Sequence, residues 1–191
     1  MIEINITKDM LEKAEKLYSF GKLNNSITEG KSNIYGAIGE IAVMEYLNID
    51  QNNCVSTYDY DILLNGAKLE VKTKKTTVIP QDHYLCSIAD YNTKQVCDYY
   101  LFVRVKKDKS VAFLLGYMEK DTFFQESFFK KKGELDINNF TFKADCHNIK
   151  IQDLKDIQLL EKEIESKKVP KRIKRIPRVK RVQRIKRGSV I

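Results

Sequence analysis

Residues 58–75, YDYDILLNGAKLEVKTKK, place two aspartates, one glutamate and several lysines in a segment with the pattern of a β-hairpin. Asn65-Gly66 lies between two strands of alternating apolar residues, and this dipeptide favours the type I′ turn, in which both residues have positive φ. A two-residue loop sets the register, so residue 62 faces 69, 61 faces 70 and 59 faces 72. Asp61 and Glu70 are then directly opposed on one face of the hairpin.

Two carboxylates opposed across a sheet repel each other unless a cation lies between them. Mg²⁺ prefers oxygen ligands and retains several waters, and Mn²⁺ can take the same ligands. The hairpin therefore predicts a Mg²⁺ site formed by Asp61, Glu70 and the backbone carbonyl of Val71. Lys72 lies on the same face, where its ammonium would orient or help to deprotonate an attacking water and balance developing charge.

The same residues also fit a second interpretation, in which the hairpin face is hydrated and has no catalytic role. Asp59 and Lys72 would then form an exposed ion pair that contributes less than about 1 kcal/mol. Lys74 and Lys75, further along the strand, fit either phosphate contacts or plain solvation. The two interpretations differ in whether a metal ion lies between Asp61 and Glu70.

A helix predicted at 33–47 precedes the hairpin and carries Glu40 in line with Gly36 and Val43, so the carboxylate faces inward. In chain order this region has a helix with Gly-Glu, an aspartate, a hairpin and then Glu-x-Lys. This pattern resembles the PD-(D/E)XK nuclease superfamily, which includes phage-type and RecB-like members. The matching residues are Glu40, Asp61, Glu70 and Lys72. The proline that the superfamily has before the aspartate is Tyr60 here, which leaves Asp59 as a competing metal ligand.

The resemblance covers roughly residues 31–119 and implies a restriction-endonuclease-like α/β/α core, with a mixed central sheet flanked by helices. It implies that Glu40 supports the metal site from its helix. Gln95 and Tyr99 match the Q-x-x-x-Y element of RecB-like members, which would place both near the site or a DNA end.

The elements around the hairpin follow from hydrophobic periodicity. Residues 99–106 and 111–118 are near-continuous apolar strands, which is typical of the centre of a covered sheet. Shorter strands are predicted near 83–89 and within 140–151. Three more helical segments are predicted. They are 7–23 with Thr7 as N-cap, 121–128 with Asp121 as N-cap, and 153–166.

Charge divides the chain into two parts. Residues 166–191 contain 12 Lys or Arg and no acid, whereas the preceding 165 residues carry 22 basic and 26 acidic residues, a net charge of −4. We therefore predict one domain at 1–165 and a basic tail at 166–191. The chain lacks a run of about 18 apolar residues and a signal-peptide pattern, so we expect a soluble cytoplasmic protein without a membrane segment.

Apolar residues in the tail recur every third position, at 173, 176, 179, 182 and 185. A period of three suits an arm that is extended as polyproline II, or disordered, better than an α-helix. Such an arm would bind phosphates by counterion release. The predicted nucleic-acid-binding residues of the tail are Lys171, Arg172, Lys174, Arg175, Arg178, Lys180, Arg181, Arg184, Lys186 and Arg187.

Together these features predict a Mg²⁺-dependent nuclease that hydrolyses phosphodiester bonds, with DNA as the expected partner and RNA as an alternative. The alternative from another class is a catalytically inactive nucleic-acid-binding, packaging or structural protein of the same fold. The sequence leaves open whether cleavage is endo- or exonucleolytic and whether the protein forms a homodimer. Its richness in Lys, Asn and Ile indicates an AT-rich genome, such as that of a phage acting in its host cytoplasm.

Overall fold

The computed structural model describes residues 1–20, 33–55, 57–136 and 141–168. This part of the chain contains four α-helices. They are α1 (Lys8–Phe20), α2 (Asn33–Tyr46), α3 (Lys120–Glu126) and α4 (Leu160–Lys168). The Thr7 hydroxyl accepts a 3.2 Å hydrogen bond from the Met10 amide, which confirms Thr7 as the cap of α1. Within the described ranges, no helix has the length and apolar character that crossing a membrane requires.

Eight β-strands lie in the same part of the chain. They are β1 (Ile2–Asn5), β2 (Ile62–Leu64), β3 (Ala67–Thr76), β4 (Leu85–Ala89), β5 (Tyr99–Lys106), β6 (Val111–Glu119), β7 (Phe128–Lys130) and β8 (Cys146–Lys150). A five-stranded sheet has the order β1-β6-β5-β3-β2, and a three-stranded sheet has the order β4-β8-β7. The larger sheet is mixed, because β3 and β5 are parallel whereas the other neighbours are antiparallel.

The predicted hairpin turn and the register next to it are confirmed. Asn65 has φ 53° and Gly66 has φ 84°, as a type I′ turn requires. Ile62 pairs with Leu69, and Leu64 pairs with Ala67. The apolar side chains of this register therefore face one core.

The larger sheet is covered on both faces, as its apolar strands β5 and β6 predict. Helices α1, α2 and α4 pack on one face, where Ile38, Val71 and Leu101 share a core. The other face packs against the small sheet and α3, and its core includes Phe102, Phe123 and Ile149. The fold is therefore mixed α/β. Helices cover one face, as predicted. On the other face, where the predicted α/β/α core also has helices, the structure has a small sheet and one short helix.

Two of the predicted helical segments differ from the structure. Strand β6 runs directly into α3, so Glu119 is the N-cap and Asp121 lies in the first turn. The helix predicted at 153–166 begins only at Leu160. Lys155 exchanges two 3.0 Å backbone hydrogen bonds with Tyr117 of β6, and this pairing keeps the preceding segment from becoming an α-helix.

Candidate carboxylate and lysine site

The hairpin ladder ends one residue before the predicted Asp61–Glu70 pair. The Asp61 amide still donates to the Leu69 carbonyl over 3.0 Å, but β2 begins at Ile62 and the chain before it turns away from β3. The Asp61 side chain takes the place of a strand partner, because its Oδ2 accepts the Val71 amide at 2.7 Å. The Asp61 carboxylate is therefore held at the edge of the sheet and not directly across from Glu70.

Three carboxylates act on one another at this edge. Burial is the largest effect on Asp61 and raises the pKa of its carboxyl well above the usual value, although the residue keeps some exposed surface. The charges of Glu40 and then Glu70 raise this pKa further, whereas the Val71 amide and Lys72 lower it. We call Glu40, Asp61 and Glu70 the carboxylate cluster. Its members come from α2, the start of the hairpin and β3.

A close approach of α2 to β3 contributes to this convergence. A Cβ atom built on Gly39 would lie 2.0 Å from the Thr73 hydroxyl oxygen, so only glycine fits at this crossing. Thr73 faces α2 because side chains alternate along a strand. Since Gly39 directly precedes Glu40, the glycine lets the helix bring that carboxylate toward Asp61.

Glu70 and Lys72 form a short ion pair at this site. Lys72 Nζ lies 2.6 Å from Glu70 Oε1, and the two side chains are 19% and 7% exposed. The Gln95 side chain completes the contact, because its Oε1 accepts from Lys72 at 3.0 Å and its Nε2 donates to Glu70 Oε1 at 2.8 Å. The lysine and the glutamate are therefore fixed in position by a buried amide.

One oxygen of this network has no partner. Glu70 Oε2 is buried and accepts no hydrogen bond, which is unfavourable for a carboxylate oxygen. Together with the mutual repulsion in the carboxylate cluster, this oxygen fits a bound divalent cation. No group of three or more Asp, Glu, His or Cys side chains within the described ranges is spaced to hold a metal by itself. A metal here would need the predicted backbone ligand or water in addition to the carboxylates.

Asp59 does not pair with Lys72 as the hairpin register predicted. Its Oδ1 accepts the Val96 amide at 3.0 Å, because the chain before Asp61 has left the ladder. Tyr60 and Ile62 would share a face in a regular strand, but Tyr60 packs against the core on the opposite face from Ile62. Asp59 therefore supports the segment that carries Gln95.

The Q-x-x-x-Y pair is separated by the sheet. Gln95 is 4% exposed and contacts Glu70 and Lys72. Tyr99 begins β5 and pairs with Leu69, so its side chain joins the core on the helix face. Tyr99 also lines a cavity of about 400 Å³ next to Lys167. Of the two predicted residues, the structure brings only Gln95 to the carboxylate cluster.

The adjacent lysines Lys74 and Lys75 lie in different environments. Lys74 Nζ donates to the Leu85 carbonyl at 3.2 Å and to Ser87 Oγ at 2.9 Å, both on β4. Burial lowers the pKa of Lys74 to about 8. Lys75 is exposed on the other face, with its ammonium 4.7 Å from the centre of the Tyr35 ring. Lys74 is therefore half-buried against β4, whereas Lys75 lies at the surface.

Two residues of the site were not predicted from the sequence. The Tyr58 carbonyl accepts from Gln95 Nε2 at 2.6 Å, and no pattern of side chains predicts such a backbone contact. Arg104 on β5 pairs with Lys74 in the parallel register. A lone arginine within the apolar run YYLFVRV was a signal that could have singled it out.

The predicted tail overlaps the described residues at its start only. Residues 166–168 belong to α4, so the extended conformation predicted from 166 is wrong there. Lys167 Nζ lies 2.8 Å from Glu119 Oε1 of β6, which attaches the end of α4 to the domain, and 3.6 Å from Glu163 Oε1 one turn earlier in the same helix. The predicted nucleic-acid-binding residues from Lys171 to Arg187 lie outside the described residues.

Comparison of the chain with models of known protein families and with curated proteins finds no match to either.

Proposed function

We propose that the protein is a metal-dependent nuclease that hydrolyses phosphodiester bonds in DNA, built on a restriction-endonuclease-like core. The observation that carries the proposal is the carboxylate cluster, in which Asp61 is under the charge of Glu40 and Glu70 and one Glu70 oxygen is buried without a partner. The order of α2, hairpin and β3, with parallel pairing to β5, supports the proposed core.

In this proposal Asp61 and Glu70 hold Mg²⁺ together with the Val71 carbonyl, and Mn²⁺ can substitute. Glu40 supports the site from α2. A bound divalent ion lowers the pKa of a water ligand and neutralises charge on the phosphoryl oxygens. The Val71 amide orients Asp61 by donating a hydrogen bond to Oδ2. This bond holds the carboxylate at the sheet edge and does not involve Oδ1.

Lys72 is the second catalytic group. Its ammonium is held by Glu70 and Gln95 at 2.6 and 3.0 Å. A cation in this position orients an attacking water by hydrogen bonding and stabilises negative charge that develops on the phosphoryl group. Gln95 acts as a positioning residue, because it links Lys72, Glu70 and the Tyr58 carbonyl.

Cleavage of labelled DNA tests the proposal directly. The full chain is incubated with single-stranded, duplex and branched DNA, and with RNA, in Mg²⁺, Mn²⁺ or chelator. We expect metal-dependent cleavage of at least one DNA substrate. Lys72→Ala should abolish cleavage while leaving binding intact, and Lys150→Ala, an exposed lysine on β8, should cleave normally. Tight, salt-dependent binding without cleavage would instead favour the inactive nucleic-acid-binding, packaging or structural protein.

The tail is tested separately. Deletion of 169–191 leaves Lys167 and its contacts with Glu119 and Glu163 in place. In this proposal the truncated protein binds DNA more weakly, and the slope of log affinity against log salt flattens by about 0.9 for each phosphate that the tail neutralises in the full chain. An unchanged salt slope would remove the tail from DNA binding without affecting the assignment of Lys72.

A further inference from the structure

A second group of buried charges lies on the same strand face as Glu70 and Lys72. Lys74 follows Lys72 by two residues, so both side chains point toward the small sheet. The parallel register places Arg104 directly beside Lys74 on β5. Side chains opposed on neighbouring strands are about 5 Å apart, so two cations are held side by side within the protein.

These two cations line a small, partly open pocket that we call the cationic chamber. It has a volume of about 70 Å³, and its walls include Lys72, Lys74, Ser87 and Arg104. This volume is roughly five times the 10–15 Å³ that one water molecule requires. The chamber therefore has room for a tetrahedral oxyanion such as phosphate.

The partners that the two cations contact are neutral. Lys74 Nζ donates to the Leu85 carbonyl and Ser87 Oγ. One Arg104 guanidinium nitrogen donates to the same carbonyl at 3.2 Å, and the guanidinium lies 5.1 Å from the centre of the Tyr84 ring. Arg104 Nε is buried and makes no hydrogen bond. The chamber therefore contains a buried, charged donor that lacks an acceptor.

Nearby negative groups do not offset this burial. Burial raises the pKa of the Cys86 and Cys146 thiols next to Lys74, so both stay uncharged near neutral pH. The carboxylate of Asp136 has the smallest effect on both cations. Burial nevertheless lowers the pKa of Lys74 to about 8 and lowers that of Arg104. Two adjacent buried cations of this kind are stabilised by an anion.

We propose that the cationic chamber binds a phosphate group, through Lys74 and Arg104, next to Lys72. The phosphate is a terminal monoester or an internal diester of the polynucleotide on which the carboxylate cluster acts. This identification of the source rests on the proposed function. The chamber would hold one phosphate of the strand in place while the neighbouring carboxylates and Lys72 act on another.

Binding of inorganic phosphate tests the chamber without any metal or cleavage. The full-length protein is titrated with phosphate by calorimetry at pH 7 in chelator, where the tail is the same in every variant. We expect Lys74→Met to weaken phosphate affinity by about tenfold or more, as the loss of a charge-assisted hydrogen bond does. Lys150→Met removes the same charge from the exposed end of β8 and should change affinity less than about twofold.

Two further variants guard against loss of structure, which is monitored by circular dichroism. Lys74→Gln keeps a donor for Leu85 and Ser87 while removing the charge, and Arg104→Leu removes the second cation. We expect both to weaken phosphate binding as Lys74→Met does. Folded variants at Lys74 and Arg104 that bind phosphate as tightly as Lys150→Met would overturn the proposal.

Oligonucleotides distinguish the source of the phosphate. Single strands with a 5′-phosphate, a 3′-phosphate or neither are bound in chelator by the wild-type and Lys74→Met proteins. A loss confined to one phosphorylated end identifies a terminal monoester, and an equal loss for all three identifies an internal diester. Phosphate binding through Lys74 in a protein that cleaves nothing would keep the chamber and reject the nuclease. Cleavage of DNA by the wild type, together with a phosphate affinity that Lys74→Met leaves unchanged, would keep the nuclease and reject the chamber.

Discussion

The buried charged side chains at the two ends of one face of β3 have different partners. At the start, Glu70 is next to Lys72 and Gln95, so its charge is opposed and one of its oxygens is hydrogen-bonded. Further along, Lys74 lies beside Arg104, and both bind neutral oxygens of β4. The first end has opposite charges and one unsatisfied acceptor. The second has like charges and one unsatisfied donor.

In the proposed function, the two ends are complementary to different parts of one ligand. A carboxylate cluster attracts a metal ion, and a pair of buried cations attracts an anion. A phosphodiester with its metal carries both charges. Separate predictions for the two ends show whether the comparison holds.

The largest expected effect is at the carboxylate end. Asp61→Asn keeps the shape and the acceptor for the Val71 amide but removes the charge, so we expect cleavage to fall by about 10³-fold. Asp59→Asn keeps the acceptor for the Val96 amide and should cost less than about tenfold. Single-turnover cleavage rates in Mg²⁺ measure both. A larger loss for Asp59→Asn would make Asp59 the metal ligand.

The second effect concerns the helix that brings Glu40 to this end. Gly39→Ala places a methyl group 2.0 Å from the Thr73 hydroxyl oxygen and should lower the free energy of unfolding by about 2–3 kcal/mol. Gly36→Ala in the same helix meets no atom within 4 Å and should stabilise by about 0.5–1 kcal/mol. Urea unfolding of the wild type and the two variants measures these changes in the free energy of unfolding. Equal effects would show that α2 does not depend on this crossing.

The third effect distinguishes the cationic end by its pH dependence. The folded pKa of Lys74 is about 8 and its unfolded value is 10.5, so the unfolded chain binds more protons between these values. Stability from this group therefore rises with pH across that window, and below pH 8 the buried charge is unfavourable. We expect Lys74→Met to be more stable than wild type by about 1–2 kcal/mol at pH 7.

This advantage should shrink as the pH approaches 10.5. Chemical denaturation in phosphate-free buffer measures it, because phosphate would stabilise the wild type through the chamber. Arg104 and Asp136 remain in both proteins. Because the charge of Lys74 lowers the pKa of the Cys86 and Cys146 thiols, both proteins are compared in a Cys86→Ala, Cys146→Ala background. A difference between wild type and Lys74→Met that is constant from pH 7 to 10.5 would contradict the buried charge.

The smallest effect is at Lys75, which follows Lys74 but lies on the helix-covered face of the sheet with its own side chain exposed. Lys75→Ala removes the cation–π contact with Tyr35 and should cost about 0.5 kcal/mol. Thermal unfolding of Lys75→Ala and Lys75→Arg measures it, because arginine retains the contact. A stabilisation by Lys75→Ala similar to that of Lys74→Met would remove the distinction between the two lysines.

Much of the fold follows from local sequence. Asn65-Gly66 determines the hairpin turn, and the apolar runs of β5 and β6 determine the centre of the sheet. These features depend on residues that are neighbours in the chain, so their pattern contains the information. For the same reason Glu70 and Lys72 were correctly placed on one face, since they are two residues apart on a strand.

Only the tertiary structure decided which distant groups join them. Gln95 reaches Glu70 from a separate segment, and Arg104 meets Lys74 because β3 and β5 pair in parallel with β4 between them in the chain. Local patterns cannot specify that pairing, because it depends on packing between segments far apart in sequence. Asp61 leaves the ladder for a similar reason, since the turn before it packs Tyr60 against the opposite core.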